Sequence, residues 1–443
     1  MLYAFIRAVV GAALRLFYKV ALTGSAARLD GPVMYVGNHP NALIDPALVF
    51  VLTPRHVTFL AKAPLFKLPV LGQLLRGIDA LPVYRKQDNP SLMQQNEGTL
   101  DAAAQALVQG RAITLFPEGK SHSDPQLAEL KTGAARIALK AVRQGAPVKV
   151  VPVGLTYEEK HLFRSEVLID VGEPIDAAAF VAKDEAGEVA SARALTEAIA
   201  GGLRKVTLNL EAWEDLPLLR TAESLYALKV GSAAKDPDRL RRFARGAQLL
   251  RAEQPERYDR MRADLLGFRR RISLGSADPS DLTLAYRPAQ VASFVLRNLA
   301  MLLIGLPLAA LGFVLFWLPY QIPSWVTDAS KPELDTQATL KFLAALVVAP
   351  LWLVVLFVAF AWKLGPLAGL LAVVLAAPLA LFTRWFVEHW KSALRDIRVF
   401  FTLGSRVRLK GLLLSEGERL ATELEQLATE LGPRADPAAP VTG

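Results

Sequence analysis

The stretch Val33-Met34-Tyr35-Val36-Gly37-Asn38-His39-Pro40-Asn41-Ala42-Leu43-Ile44-Asp45 decides the fold. A short apolar run, as in a buried strand, breaks at glycine into polar and turn-forming residues. An Asp-Pro pair, Asp45-Pro46, then opens an apolar helical pattern. The same design recurs in Ala112-Ile113-Thr114-Leu115-Phe116-Pro117-Glu118-Gly119-Lys120. Open α/β sheets bind ligands just beyond the carboxyl ends of their strands, so both polar clusters are candidate site residues.

Outward from these two stretches, further strand-like runs lie at 57–60, 80–84, 148–155 and 167–171. Helical patterns at 91–109 and 132–143 fall between them, punctuated by Asn89-Pro90 and Gly145-Ala146-Pro147. Strands alternating with helices predict an α/β domain over residues 31–176, a mixed sheet flanked by helices. Residues 177–290 are charged and helical, a region expected to complete or cover that domain. Its basic clusters, Arg241-Arg242 and Arg269-Arg270-Arg271, have two readings, a solvated helix face or a face turned toward anionic lipid.

The chain has 443 residues and is 52% hydrophobic, with the apolar excess toward the C-terminus. No charged residue interrupts 299–320, 342–362 or 365–383 within the region 291–385. At about 1.5 Å per residue the first two cross a hydrocarbon core of roughly 30 Å, so C-terminal transmembrane helices follow the helical region. Buried soluble helices of that length would carry a polar face, which these lack. The loop 321–341 is acidic on balance, whereas 384–410 carries seven Lys and Arg against two acids. The positive-inside rule puts that basic tail in the cytoplasm together with the N-terminal domain. Both ends then share a side if Lys363-Leu364-Gly365-Pro366 breaks the apolar stretch, leaving 342–383 as one net crossing with a re-entrant part. Basic, then amphipathic helices are expected over 386–431, and a disordered tail over 432–443.

Residues 1–30 open with an apolar helix carrying Arg7, Arg15 and Lys19 on one face. It either lies in the membrane interface or packs on the soluble domain, and the interrupted apolar run does not fit a cleaved signal peptide. The net charge of +9 comes with no nucleic-acid-binding signature, and beside membrane segments it implies contact with membrane lipids. There are no cysteines, and the five histidines form no His-x-x-x-His pair, so neither thiolate chemistry nor a metal site is expected.

His39 and Asp45 are six positions apart and would not share a face of one helix. On a strand-turn-helix they can converge, the aspartate orienting a histidine general base, although Asp45-Pro46 also suits a plain helix start. Glu118 with Gly119 ends another strand, as does Arg85 after Val83-Tyr84, and arginine suits a phosphate. Pro-Glu-Gly is equally a common turn. Leu130-Lys131-Thr132-Gly133-Ala134-Ala135-Arg136 sets cations at a helix start, where an anion could bind. Pro152, in Val151-Pro152-Val153-Gly154, marks an edge strand or a bend.

Taken in order, Asn38-His39 through Asp45, Val83-Tyr84-Arg85, Phe116-Pro117-Glu118-Gly119 and Val151-Pro152-Val153-Gly154 resemble the motifs of the membrane glycerolipid acyltransferases. That family includes the glycerol-3-phosphate and 1-acylglycerol-3-phosphate (lysophosphatidate) acyltransferases. The likeness spans roughly residues 32–174. A looser similarity over 206–222 points toward the fungal-type glycerol-3-phosphate/dihydroxyacetone-phosphate subgroup.

The resemblance implies an O-acyltransferase of phospholipid biosynthesis with no acyl-enzyme. It takes an acyl thioester donor (acyl-CoA or acyl carrier protein) as co-substrate, a glycerol-phosphate acceptor, and no bound cofactor. His39 would be the base and Asp45 its orienting acid. Asn38, Arg85, Glu118 and Gly119 would hold the acceptor, and Pro152 would line the donor site. Two departures stand out. Five residues separate His39 from Asp45 where the family usually has four, and Gly119-Lys120-Ser121 replaces the usual Gly-Thr-Arg. Lys120 or Lys131 could supply the missing cation.

A lipase-like hydrolase is the weaker enzyme alternative, for want of Gly-x-Ser-x-Gly. From another class, the competing reading is a non-catalytic lipid-binding or transport protein on a degenerate acyltransferase fold. Against it stand the retained His39 and Glu118 and the lack of ionisable residues in the two longest apolar runs.

Overall fold

The computed structural model describes residues 2–24, 29–53, 55–84, 95–181, 187–232, 236–274, 277–284, 287–404 and 407–435. Arg85, Asn89-Pro90 and residues 436–443 of the expected tail lie outside them. The chain divides into two compact units, Met1–Asn209 with Pro332–Thr339 and Asp436–Gly443, and Leu210–Lys331 with Leu340–Ala435.

The first unit is an α/β sandwich. Its strands are β1 (Lys19–Thr23), β2 (Val33–Gly37), β3 (Val57–Lys62), β4 (Leu81–Val83), β5 (Ala112–Leu115), β6 (Lys149–Tyr157), β7 (Glu166–Val171) and β8 (Ile175–Asp176). They form a mixed sheet in the order β1-β7-β6-β2-β5-β3-β4, with β8 beside β6. β2 is parallel to both β5 and β6, and β3 is parallel to β5 and β4. The carboxyl ends of these five strands therefore share one rim. β6 runs antiparallel to β7, and β1 lies beyond β7 at that edge of the sheet. Every residue of β2 and β5 is buried, as expected of parallel strands covered on both faces.

Helices α1 (Leu2–Phe17), α2 (Ile44–Leu52), α3 (Pro69–Gly77), α4 (Gln95–Val108), α5 (Gly133–Arg143) and α6 (Glu188–Val206) flank the sheet. The core joins Met34, Val36, Ile113 and Leu115 of the sheet to Leu107 of α4, Ile137 of α5 and Leu195, Ile199 and Leu203 of α6. Two glycines let α6 settle closely on β6. A Cβ at Gly154 would lie 1.9 Å from the Val206 carbonyl oxygen, and one at Gly202 would lie 2.6 Å from Pro152.

The N-terminal helix stops at Phe17, and Lys19 belongs to β1, which pairs in parallel with β7. The sequence shows no sign of that strand because all five of its residues are exposed. α1 buries Leu14 and Phe17 while Phe5, Val9 and Leu16 remain exposed.

The second unit holds α7 (Leu216–Lys229), α8 (Pro237–Glu253), α9 (Pro255–Ser273) and α13 (Val407–Leu431) around a core that includes Leu225, Leu265, Phe268, Leu420 and Leu424. Arg241 fits neither a solvated nor a lipid-facing cluster, because it is buried and bonded to Asp238. Arg239, two positions earlier in α8, is also buried and pairs with Glu223.

Among the described residues, three helices are long and apolar enough to cross a membrane: α10 (Pro288–Ser330), α11 (Leu334–Leu364) and α12 (Pro366–Val399), the last continuing helically to Leu403. The break expected near Pro366 is present, with Gly365 at φ +90°. The helix after it runs well past residue 383, however, so it is a full-length candidate span and not a short re-entrant piece. Asn298 of α10, itself buried, meets His389 of α12 at 2.8 Å.

Candidate active site

Both sequence motifs end at the rim where the parallel strands terminate. Gly37 closes β2, and a Cβ there would lie 2.9 Å from the Phe116 ring. The missing side chain lets Phe116 slide beneath the next residues. The His39 imidazole stacks on it with centroids 4.3 Å apart and planes 17° from parallel. The turn at 40–43 then folds back so that Asp45, in the first turn of α2, reaches His39. Nδ1 of His39 lies 2.8 Å from Oδ2 of Asp45. Asp45 is fully buried and His39 is 13% exposed.

The Asp45 carboxylate has two further partners. The Asn41 backbone N–H donates to Oδ2 at 2.7 Å, and the Tyr157 hydroxyl donates to Oδ1 at 2.6 Å. A carboxylate so filled holds the Nδ1–H tautomer of the histidine and leaves the Nε2 lone pair available.

Glu118 sits on the adjacent strand end, 3% exposed. Its Oε1 accepts the His39 backbone N–H at 2.8 Å, and its Oε2 accepts the Ala128 N–H at 3.0 Å and bonds to His122. That bond is the main cause holding the His122 pKa above its ordinary value; burial and the Lys120 charge oppose it.

Asn38 is likewise engaged by the protein, its side-chain amide bridging both backbone groups of Leu155 on β6 at 3.0 and 2.7 Å. Gly119 adopts φ +73°, and a Cβ there would lie 2.6 Å from Lys131 Nζ. The glycine thus makes room for the lysine over the turn, where the Lys131 N–H also donates to the Pro117 carbonyl at 2.9 Å.

His39 opens into a cleft of about 1020 Å³. Lys62, Lys131 and Arg136 line it together with Tyr84, Asn96 and Glu97, so cations outnumber acids. Asn96 fixes the end of β4 by bonding the backbone N–H and carbonyl of Tyr84 at 2.9 and 2.6 Å. The first turn of α5 faces the same space through Gly133, Ala134, Arg136 and Ile137.

Of the residues singled out from sequence, His39, Gly119 and Lys131 line the cleft. Asp45, Glu118 and Asn38 stand behind it, holding the turn. Lys120 is exposed and is not among the lining residues. Pro152 is also absent from the lining and faces Gly202 of α6. Arg85 falls outside the described residues. The sequence reading does not mark Lys62, while Arg136 belongs to the cationic helix start singled out as anion-binding but not to the named site residues. Lys62 ends a strand, as Arg85 was taken to do, and so carried the same signal. Arg136 lies one turn into a helix whose start was already marked as anion-binding. Among the described residues, no group of His, Asp and Glu could hold a metal ion.

Chemically, the arrangement offers an oriented base at the edge of a cationic cleft. It can take a proton from a hydroxyl carried by an anionic molecule. A search of curated proteins gives no match. Among solved structures, the chain is similar to the 1-acyl-sn-glycerophosphate (LPA) acyltransferase PlsC from Thermotoga maritima, at 21% identity and a TM-score of 0.32. That similarity covers 44% of this chain and 79% of the other. The family model described as Acyltransferase matches residues 19–156, a stretch that begins at β1, ends within β6 and holds His39, Asp45 and Glu118.

Proposed function

We propose that the protein is a membrane glycerolipid O-acyltransferase. It moves a fatty acyl chain from an acyl thioester, acyl-CoA or acyl carrier protein, to a hydroxyl of glycerol 3-phosphate or 1-acylglycerol 3-phosphate. The observation that carries this reading is the His39–Asp45 pair opening into a cleft lined by Lys62, Lys131 and Arg136. The acceptor phosphate rests among these cations, and Arg85, which the resemblance assigns to the acceptor, is proposed as a further ligand. Nε2 of His39 takes the acceptor hydroxyl proton as that oxygen attacks the thioester carbonyl. The C–O bond forms, the tetrahedral intermediate breaks its C–S bond, and the departing thiolate takes the proton back from His39. Asp45 stabilises the imidazolium between the two transfers.

The residues at 206–222 favour the fungal-type glycerol-3-phosphate/dihydroxyacetone-phosphate subgroup. The three long apolar helices among the described residues support a membrane location, and the basic run Arg269-Arg270-Arg271 before the first of them supports a bacterial inner membrane with the catalytic domain on its cytoplasmic face.

The test is acyl transfer by membranes bearing the wild type or His39→Ala. Each donor is offered to glycerol 3-phosphate, dihydroxyacetone phosphate and lysophosphatidate. Loss of a general base costs roughly 10²–10⁴-fold in rate. Transfer that collapses in the variant supports the reading, and the preferred acceptor names the reaction. No transfer to any acceptor by the inserted, folded wild type would overturn it in favour of a binding or transport protein.

A further inference from the structure

The turn between His39 and Asp45 is one residue longer than its resemblance would have it, and a longer turn needs more to hold it. The holding groups come from the segment that follows the catalytic rim of β6. Tyr157, the last residue of β6, donates to Asp45 Oδ1 at 2.6 Å. Lys160 Nζ donates to the Pro40 carbonyl at 2.8 Å and to Ser123 Oγ at 2.6 Å, tying the His39 turn to the segment after Glu118. Lys160 is itself held, because Tyr18 donates to its carbonyl at 2.5 Å and receives the Asn41 amide at 3.2 Å. The rings of Tyr18 and Tyr157 meet edge to face at 5.6 Å.

We infer that Tyr157 and Lys160 are positioning residues for the His39–Asp45 pair. Tyr157 fixes the carboxylate, and Lys160 fixes the five-residue turn that carries it. Neither is among the residues lining the cleft, so both act through the pair and not on substrate. Burial, and then the Asp45 charge, drive the Tyr157 pKa well above its ordinary value, so the phenol stays a donor across any working pH. Burial lowers the Lys160 pKa, while Asp335, Asp45 and Asp124, the acids that face it, pull it back up.

This inference rests on the proposed acyltransferase reading, and one arm of its test does not need turnover. In the activity arm, Tyr157→Phe should lower kcat roughly 10- to 100-fold, the scale of a lost hydrogen bond to a charged group, and leave the acceptor KM within about twofold. In an Asp45→Asn background the same change should cost less than about twofold more, since its target is already gone. Lys160→Met should lower kcat, and Lys160→Arg, which keeps a cationic donor, should restore most of it.

In the second arm, histidine-labelled protein in detergent is observed by NMR at one pH, with His39→Gln assigning the signal. Tyr157→Phe should shift the His39 ring-nitrogen resonances, and Tyr258→Phe in the other unit should not. Unchanged resonances, additive losses in the Asp45→Asn background, or a Tyr157→Phe defect confined to melting temperature would each overturn the inference. Resonances that shift in Tyr157→Phe although the wild type transfers no acyl group would overturn the acyltransferase reading and leave the positioning role standing.

Discussion

Glu118 holds His39 by its backbone: Oε1 of the glutamate accepts the histidine amide N–H at 2.8 Å, although 79 positions separate them. The two strand ends that carry the polar motifs are thereby joined at their carboxyl rim. The glutamate's other oxygen takes the Ala128 N–H and His122, so the carboxylate anchors the turn and does not point into the cleft.

Glu118→Gln should therefore behave as a loss of architecture. One carboxylate oxygen becomes an NH₂ group facing a backbone donor, which strands the N–H of His39 or of Ala128 at a cost of about 1–3 kcal/mol. The expected result is a lower melting temperature together with a fall in kcat. A variant that melts like the wild type and loses only acceptor affinity would return Glu118 to direct substrate binding.

The His122–Glu118 contact makes stability depend on pH in a stated direction. Because the folded His122 pKa is raised, its stabilising contribution is fully present below about 6.5, the ordinary histidine value. It is lost as pH rises through the higher folded value. Urea unfolding of the wild type should show declining stability on that alkaline side. His122→Gln should flatten the decline, and parallel curves for the two proteins would contradict the assignment.

Gly119→Ala forces a side chain into φ +73° and sets its Cβ 2.6 Å from Lys131 Nζ. The backbone strain costs about 1–2 kcal/mol, and the flexible lysine end is the part that yields. Displacing that ammonium should raise the KM for a phosphorylated acceptor more than it lowers kcat. Lys62→Gln, Lys131→Gln and Arg136→Gln should each raise the same KM about tenfold. An acceptor KM unchanged in all three would remove the phosphate from this cleft.

The absence of cysteines makes membrane orientation directly readable. Gln105→Cys, on the exposed surface of α4, should resist an impermeant maleimide in intact cells and react after lysis. Labelling in intact cells would put the catalytic domain on the outer face.

Much of the catalytic sheet was legible in the sequence because its strands are buried on both faces. The runs at 33–36, 57–60, 112–116 and 148–155 correspond to β2, β3, β5 and β6 within a few residues. β1 was not legible, because its exposed Lys-Val-Ala-Leu-Thr continues the apolar pattern of the preceding helix. Helix α3 was hidden because it is short, opening at Pro69 and ending at Gly77. At the site, His39 and Asp45 could be named because their residue types and order carry the chemistry. Tyr157 and Lys160 could not, since they reach the turn from 112 and 120 positions away and have no motif of their own. The convergence of Asn38 onto Leu155 depends likewise on β2 and β6 being neighbours, which strand order alone decides.

The Phe116 ring beneath His39 bears on the kinetic order of the reaction. An imidazole clamped between a buried carboxylate and an aromatic face cannot swing between two stations. In the proposed transfer the proton then leaves the acceptor and returns to the departing group at one fixed point. With no acyl-enzyme in that scheme, both substrates have to be present together around Nε2 and initial-velocity plots should intersect; parallel lines would instead indicate an acyl-enzyme.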